Sequence, residues 1–190
     1  MEGIQVDQEI GTRVRALRSS RGMRLEDLAA RSGVSRAMLS RIERGESSPT
    51  AQLLNRVCGG LGVTLSTLFA EAERQGSPLR RRRDQPQWRD PGSGYARRVV
   101  SPEGTGSPVE MVEVEFPAGG EVTFGNLHLS GIDQHIHVLD GSMEIAVDGV
   151  ANRLDKGDCL HMRLDQAIRF ANPFGREARY LVVLSRGGGR

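Results

Sequence analysis

The spacing of apolar residues changes once along this chain, and that change limits the fold more than any other feature. From Gln8 to about Ala72 they recur at helical intervals, whereas from Val99 onward they alternate with a period of two. Between the two regimes the pattern dissolves into Gly, Pro, Ser, Gln and Arg, including the run Arg80 to Arg83. Neither a single helical bundle nor a single β domain accommodates both periods. The 190 residues are enough for two small domains, each near the lower size at which a core sustains itself.

In the front part the punctuation marks five short helices. Ile10, Val14 and Leu17 define the first; Leu25, Leu28 and Ala29 define a second that closes at Gly33. Leu39 and Ile42 define a third, starting after Ser35 and ending at Gly45. Pro49 opens a fourth with Leu53, Leu54, Val57 and Leu61, expected to stop around Gly59 to Gly62, and Leu65, Leu68 and Phe69 define the fifth. In the back part β-like runs fall at 109–116, 121–124, 135–139, 143–147, 159–162, 167–170 and 180–184. Gly119-Gly120, Asp140-Gly141, Asp148-Gly149 and Lys156-Gly157-Asp158 supply turns between them. Many short strands at regular spacing predict a sandwich or barrel.

The net charge of +2 conceals a polarity. Residues 1–75 sum to +2, 76–98 to +5 and 99–190 to −5. A basic front and an acidic back make nucleic acid a candidate partner for the front alone. Aromatics at 4% argue against a base-stacking platform for single strands. No apolar run approaches the length of a membrane span, and residues 1–10 carry acids with no apolar signal core, so a cytoplasmic location is expected. Cys58 and Cys159 have no CxxC or Cys/His spacing, which excludes a disulfide scaffold; both are expected to be small buried apolar residues.

The stretch from Leu25 to Gly45 has the spacing of a helix-turn-helix. Ala29 is small where two helices cross, Gly33 tolerates a left-handed turn, Val34 plugs the core below it, and the Ser35 hydroxyl suits the next helix N-terminus. With Leu39 and Ile42 facing inward, Arg36, Ala37, Ser40, Arg41 and Arg44 share the opposite face, which is basic and of the right width for a major groove. The run LAxxxGVSxxxLSxIExG, the following Pro49 and the LGVxLxxLF ending at Phe69 resemble the Cro and phage-repressor (XRE) type of helix-turn-helix over about 65 residues. The resemblance implies a lambda-repressor-like five-helix domain in which Arg36, Ala37 and Arg41 meet base edges and Ser35, Ser40 and Arg44 lie near phosphates. It also implies an ion pair between Arg18 and Glu43. Arg24 departs from the Ser or Thr usual at the second helix's cap; it cannot cap, but its charge suits a phosphate.

In the back part the segment from His128 to Ile145, with its VL-x-G, then Gly157-Asp158 and Arg169-Phe170-Ala171-Asn172-Pro173, resembles the cupin family over about 85 residues. That resemblance implies a double-stranded β-helix, a jelly-roll barrel. Metal-binding cupins carry two His and a Glu in the first block and a His in the second. Here those positions hold His128, Ser130, Gln134 and Ile168. One ligand of four is present, so the implied metal site is expected to be lost. Strand alternation sends His135 and His137 outward, and no nucleophile with a neighbouring base stands out.

Taken together, these readings predict an α plus β chain: residues 1–73 as the DNA-binding domain, 74–98 as connector, 99–186 as cupin and 187–190 as a disordered tail. The expected activity is that of a homodimeric regulator of a pseudo-palindromic double-stranded operator. A small-molecule effector is expected against His128, Gln134 and Ile168, with no metal, no cofactor, no catalytic residue and no membrane. The alternatives are a cupin metalloenzyme fused to a DNA-binding module and a cupin that only dimerises. The Arg80 to Arg83 run reads either as an arm tracking DNA or as a soluble connector, and Trp88 as its anchor on the β domain.

Overall fold

A computed structural model of the chain describes residues 2–69, 77–126 and 131–186. His128, Ser130, the start of the expected connector and the 187–190 tail lie outside them. The chain divides into two compact units, one up to Phe69 and one beyond it.

The first unit holds five helices: α1 (Glu2–Ser19), α2 (Leu25–Ser32), α3 (Arg36–Glu43), α4 (Ala51–Leu61) and α5 (Leu65–Phe69). Their apolar stripes meet in one core of Ile10, Val14, Leu28, Leu39, Ile42, Leu54, Val57 and Leu68, all nearly or fully buried. Helix α4 ends within the expected stretch: it runs through Gly59-Gly60 to Leu61, with Gly62 in the left-handed conformation as its cap. Gly60 is needed inside the helix because α2 crosses there: a Cβ on Gly60 would lie 2.8 Å from Ser32 Cβ and 3.0 Å from Leu28 Cδ1. Gly11 does the same between α1 and α3, where a Cβ would collide with the Ile42 carbonyl oxygen.

The second unit is two antiparallel sheets. The larger contains β1 (Gln87–Arg89), β2 (Ala96–Val99), β3 (Val109–Phe116), β5 (Ile132–Asp140), β8 (Cys159–Arg163) and β10 (Ala178–Arg186) in the order β1-β2-β3-β10-β5-β8. The smaller contains β4 (Glu121–Phe124), β6 (Ser142–Val147), β7 (Val150–Asp155) and β9 (Ile168–Ala171) in the order β4-β9-β6-β7. This is the two-sheet architecture that the cupin resemblance implies. The expected strands all form, and β1, β2 and β7 join them. The stretch expected as connector is therefore partly sheet, with Trp88 buried in β1 opposite Arg97.

A line of aromatic rings runs through the interior. Trp88 meets Tyr95 edge-on at 6.0 Å, Tyr95 stacks on Phe116 at 5.6 Å, and Phe116 lies 6.3 Å from Tyr180. Tyr180 of the larger sheet then stacks at 6.0 Å on Phe170 of the smaller one, which meets Phe124 edge-on at 5.8 Å. Such pairs add about 0.5–1.5 kcal/mol each beyond the area they bury. Burial pushes the Tyr95 and Tyr180 hydroxyls well above the ordinary tyrosine value.

Candidate nucleic-acid interface

The turn between α2 and α3 is built from its ends inward. Gly33 takes φ 64°, and its N–H donates to the Ala29 carbonyl at 2.9 Å. From α4, Arg56 donates Nε to the Ser32 carbonyl at 3.3 Å and Nη2 to the Gly33 carbonyl, placing a cation on the C-terminal end of α2. Buried Ser32 donates to Leu28 O at 2.7 Å and accepts from Val34 N at 3.3 Å. Ser35 caps α3, its Oγ accepting from Met38 N at 3.2 Å. At the start of α2 the Arg24 side chain forms no cap. Asp27 takes over, accepting the Arg24 backbone N–H on Oδ2 at 2.8 Å, and that bond holds its carboxyl below the ordinary value.

Helix α3 is fixed from behind. Arg18 of α1 places Nε 2.6 Å from Glu43 Oε1 and Nη2 2.9 Å from Oε2, and donates Nη1 to Met23 O at 2.7 Å. Both side chains are largely buried, at 13% and 7% exposure. With Leu39 and Ile42 in the core, Ser35, Arg36, Ala37, Arg41 and Arg44 are exposed together and Ser40 is half-buried. Arg24 also points to solvent, 79% exposed.

Two acids on this face were not legible as partners in the sequence. Glu26 of α2 accepts Arg36 Nε at 3.2 Å. Glu46 grips Arg44 through Nε–Oε1 and Nη2–Oε2 contacts, both 2.7 Å, while Arg44 Nη1 also reaches Ser40 Oγ. Arg41 Nη2 approaches the Glu46 carbonyl at 3.4 Å. The Arg44 guanidinium lowers the Glu46 carboxyl from its ordinary value. The face is thus basic but internally paired, so an anion arriving there would have to displace carboxylates.

A helix-turn-helix (HTH_3) family model matches residues 14–68. The HTH-type transcriptional regulator SutR of Escherichia coli K12 is 31% identical over 158 residues, spanning 82% of this chain and 83% of that one. This chain belongs to the HTH-type transcriptional regulators. The crystal structure of an HTH_3 family transcriptional regulator from Vibrio cholerae covers 99% of both chains with a TM-score of 0.78 and 26% identity. A structure of Fe(II) HppE shares the fold at 14% identity, with a TM-score of 0.50, over 94% of this chain and 98% of that one.

Of the residues expected to face an effector in this regulator, Gln134 is buried on β5 and Ile168 on β9, in different sheets; His128 lies outside the described residues. The Gln134 amide donates Nε2 to Met162 Sδ at 3.6 Å. These positions do not fit the metal of metal-binding cupins, because Ile168 has no donor atom and Gln134 is a neutral amide. Among the described residues no group of three or more His, Cys, Asp or Glu is placed to hold a metal ion. His135 and His137 point outward, alternating with buried Gln134 and Ile136. His135 faces His161 across the β5–β8 ladder with ring centres 4.9 Å apart, and His161 Nε2 lies 2.9 Å from Asp133 Oδ1. Cys58 is buried in α4, but Cys159 is exposed on edge strand β8, contrary to expectation, because its position in the pleat faces solvent beside His161.

Proposed function

We propose that this regulator reads a specific operator sequence as a homodimer and that its β unit senses a small-molecule effector in a metal-free barrel without transforming it. The observation that carries the reading is the solvent-facing set Arg36, Ala37 and Arg41 on a helix fixed by the Ser35 cap and the Arg18–Glu43 pair. In this reading Arg36, Ala37 and Arg41 meet base edges, while Arg24, Ser35, Ser40 and Arg44 position the helix on phosphates. One short helix reads only about 3 to 5 base pairs, so two copies spaced about 34 Å apart on a pseudo-palindrome supply the missing specificity. The effector, held against His128, Gln134 and Ile168, acts by binding one dimer geometry better than another.

Binding-site selection from a random duplex library tests this. A pseudo-palindromic consensus is expected, and Arg36→Ala or Arg41→Ala relaxes one position in each half-site, at about 1 to 3 kcal/mol per lost contact. An unchanged consensus for both variants would overturn the recognition face. Metal analysis of purified protein tests the barrel: stoichiometric Fe, Mn or Zn lost on His128→Ala favours the metalloenzyme reading instead.

A further inference from the structure

The region between Ser77 and Val99 carries seven arginines, and the fold sorts them into two groups. Arg97 and Arg98 are buried in β2, and Arg98 bonds Glu113 Oε1 at 2.8 Å. Arg89 donates to the Gly94 carbonyl at 2.6 Å. Arg80 is only 11% exposed, its Nη1 bonding Glu103 Oε1 at 3.1 Å and approaching the Ser101 carbonyl at 3.4 Å. What is left is Arg81, Arg82 and Arg83, side by side and exposed, Arg82 and Arg83 inside a 3-10 turn of residues Arg82–Asp84. Among the described residues only Asp84 approaches them, 3.7 Å from Arg83, with both side chains mostly in water.

This turn is held at both ends. Arg80 ties its start to Glu103 and Ser101, and Gln85 ties its end by accepting Arg98 Nη1 at 3.1 Å. A connector serving only solubility has no need of such anchoring. A preformed turn loses little conformational freedom when a ligand engages it, so three exposed guanidinium groups from consecutive residues on it are ready to take phosphates. Residues 99–190 of this unit sum to −5, which makes the turn a basic island on an acidic body. Covalent tethering also matters. At about 3.4 Å per residue the chain from Phe69 to Arg81 spans at most about 40 Å, roughly one turn of duplex.

We propose that Arg81, Arg82 and Arg83 form a second DNA contact, a phosphate-binding knuckle carried by the β unit and separate from the recognition helix. It adds sequence-independent affinity and brings the sensing unit onto the DNA backbone beside the site being read. The proposal rests on the DNA-binding reading above.

The test compares wild type, an Arg81→Ser/Arg82→Ser/Arg83→Ser triple variant, the corresponding triple Lys variant and Arg36→Ala/Arg41→Ala. Fluorescence anisotropy is measured on a 40-base-pair mixed-sequence duplex and on a selected operator duplex, from 50 to 300 mM KCl. With each phosphate contact adding about 0.9 to the salt slope, the Ser variant should flatten log K against log salt by about 2 to 3 per protomer. It should weaken both duplexes by about 10- to 100-fold at 100 mM while keeping their ratio. The Lys variant should restore most of the loss, and the Arg36/Arg41 variant should collapse the ratio instead. An unchanged slope and affinity for the Ser variant, with wild type binding normally, overturns the knuckle and leaves the recognition face intact. Wild type binding neither duplex overturns both.

Discussion

Arg18 and Glu43 join the first helix to the end of the recognition helix through two parallel contacts of 2.6 and 2.9 Å, in surroundings that expose little of either side chain. A two-point guanidinium–carboxylate pair fixes direction as well as distance, so it sets the angle at which α3 leaves the core. Removing Glu43 leaves a largely buried guanidinium without its acid. Glu43→Ala should cost the helical unit about 2 to 3 kcal/mol in urea unfolding followed by circular dichroism at 222 nm. Replacing both residues with Leu should recover part of that loss. An Ala variant as stable as wild type would show that the pair is incidental.

Behind that pair, α1 and α3 touch at the backbone. Gly11→Ala drives a methyl into the Ile42 carbonyl, a neighbour that cannot rotate away. The expected loss is about 1 to 3 kcal/mol, together with weaker operator binding as α3 is displaced. Ala tolerated at wild-type stability and affinity would contradict the close approach.

In the proposed complex the acid at Glu46, which holds Arg44 by two contacts, competes with phosphate for it. Glu46→Gln should strengthen binding to duplex DNA roughly threefold to tenfold at 50 mM salt, the gain shrinking as salt screens the site. Equal affinity at low salt would mean that the pairing does not persist in solution.

The Asp27 carboxyl is held below its ordinary value of 3.8, first by the Arg24 backbone N–H and then by the Arg24 side chain. A depressed carboxyl contributes stability that is fully present above 3.8 and is lost as pH falls through the lower value. The Arg24 amide resonance should therefore titrate with a midpoint below 3.8. A midpoint at or above 3.8 would rule out the bond.

Much of this architecture was legible because burial leaves a period in the sequence. Leu28, Leu39, Ile42 and Leu54 fall where a helix core needs them, and Gln134-His135-Ile136 alternates as a half-buried strand does. β2 was missed because Arg97 and Arg98 fell inside the expected connector and two consecutive arginines carry no strand period, whereas a long-range partner, Glu113, accompanies the burial of Arg98. β7 was missed because, in Val150–Asp155, Leu154 alone is buried on an edge strand. The exposed side of α3 was legible residue by residue, but its pairing with Glu26 and Glu46 was not. Those contacts depend on where α2 and the segment after α3 place their side chains, and no local spacing encodes that.

The chain's single tryptophan opens the aromatic line of the β unit, 6.0 Å from Tyr95, while five of the helices lie in the other unit. Emission excited at 295 nm therefore reports the β unit alone, and ellipticity at 222 nm is dominated by the helical one. One sample heated once yields two separate melting curves. A metabolite that shifts only the fluorescence curve identifies itself as a ligand of the β unit, without any need to know the operator.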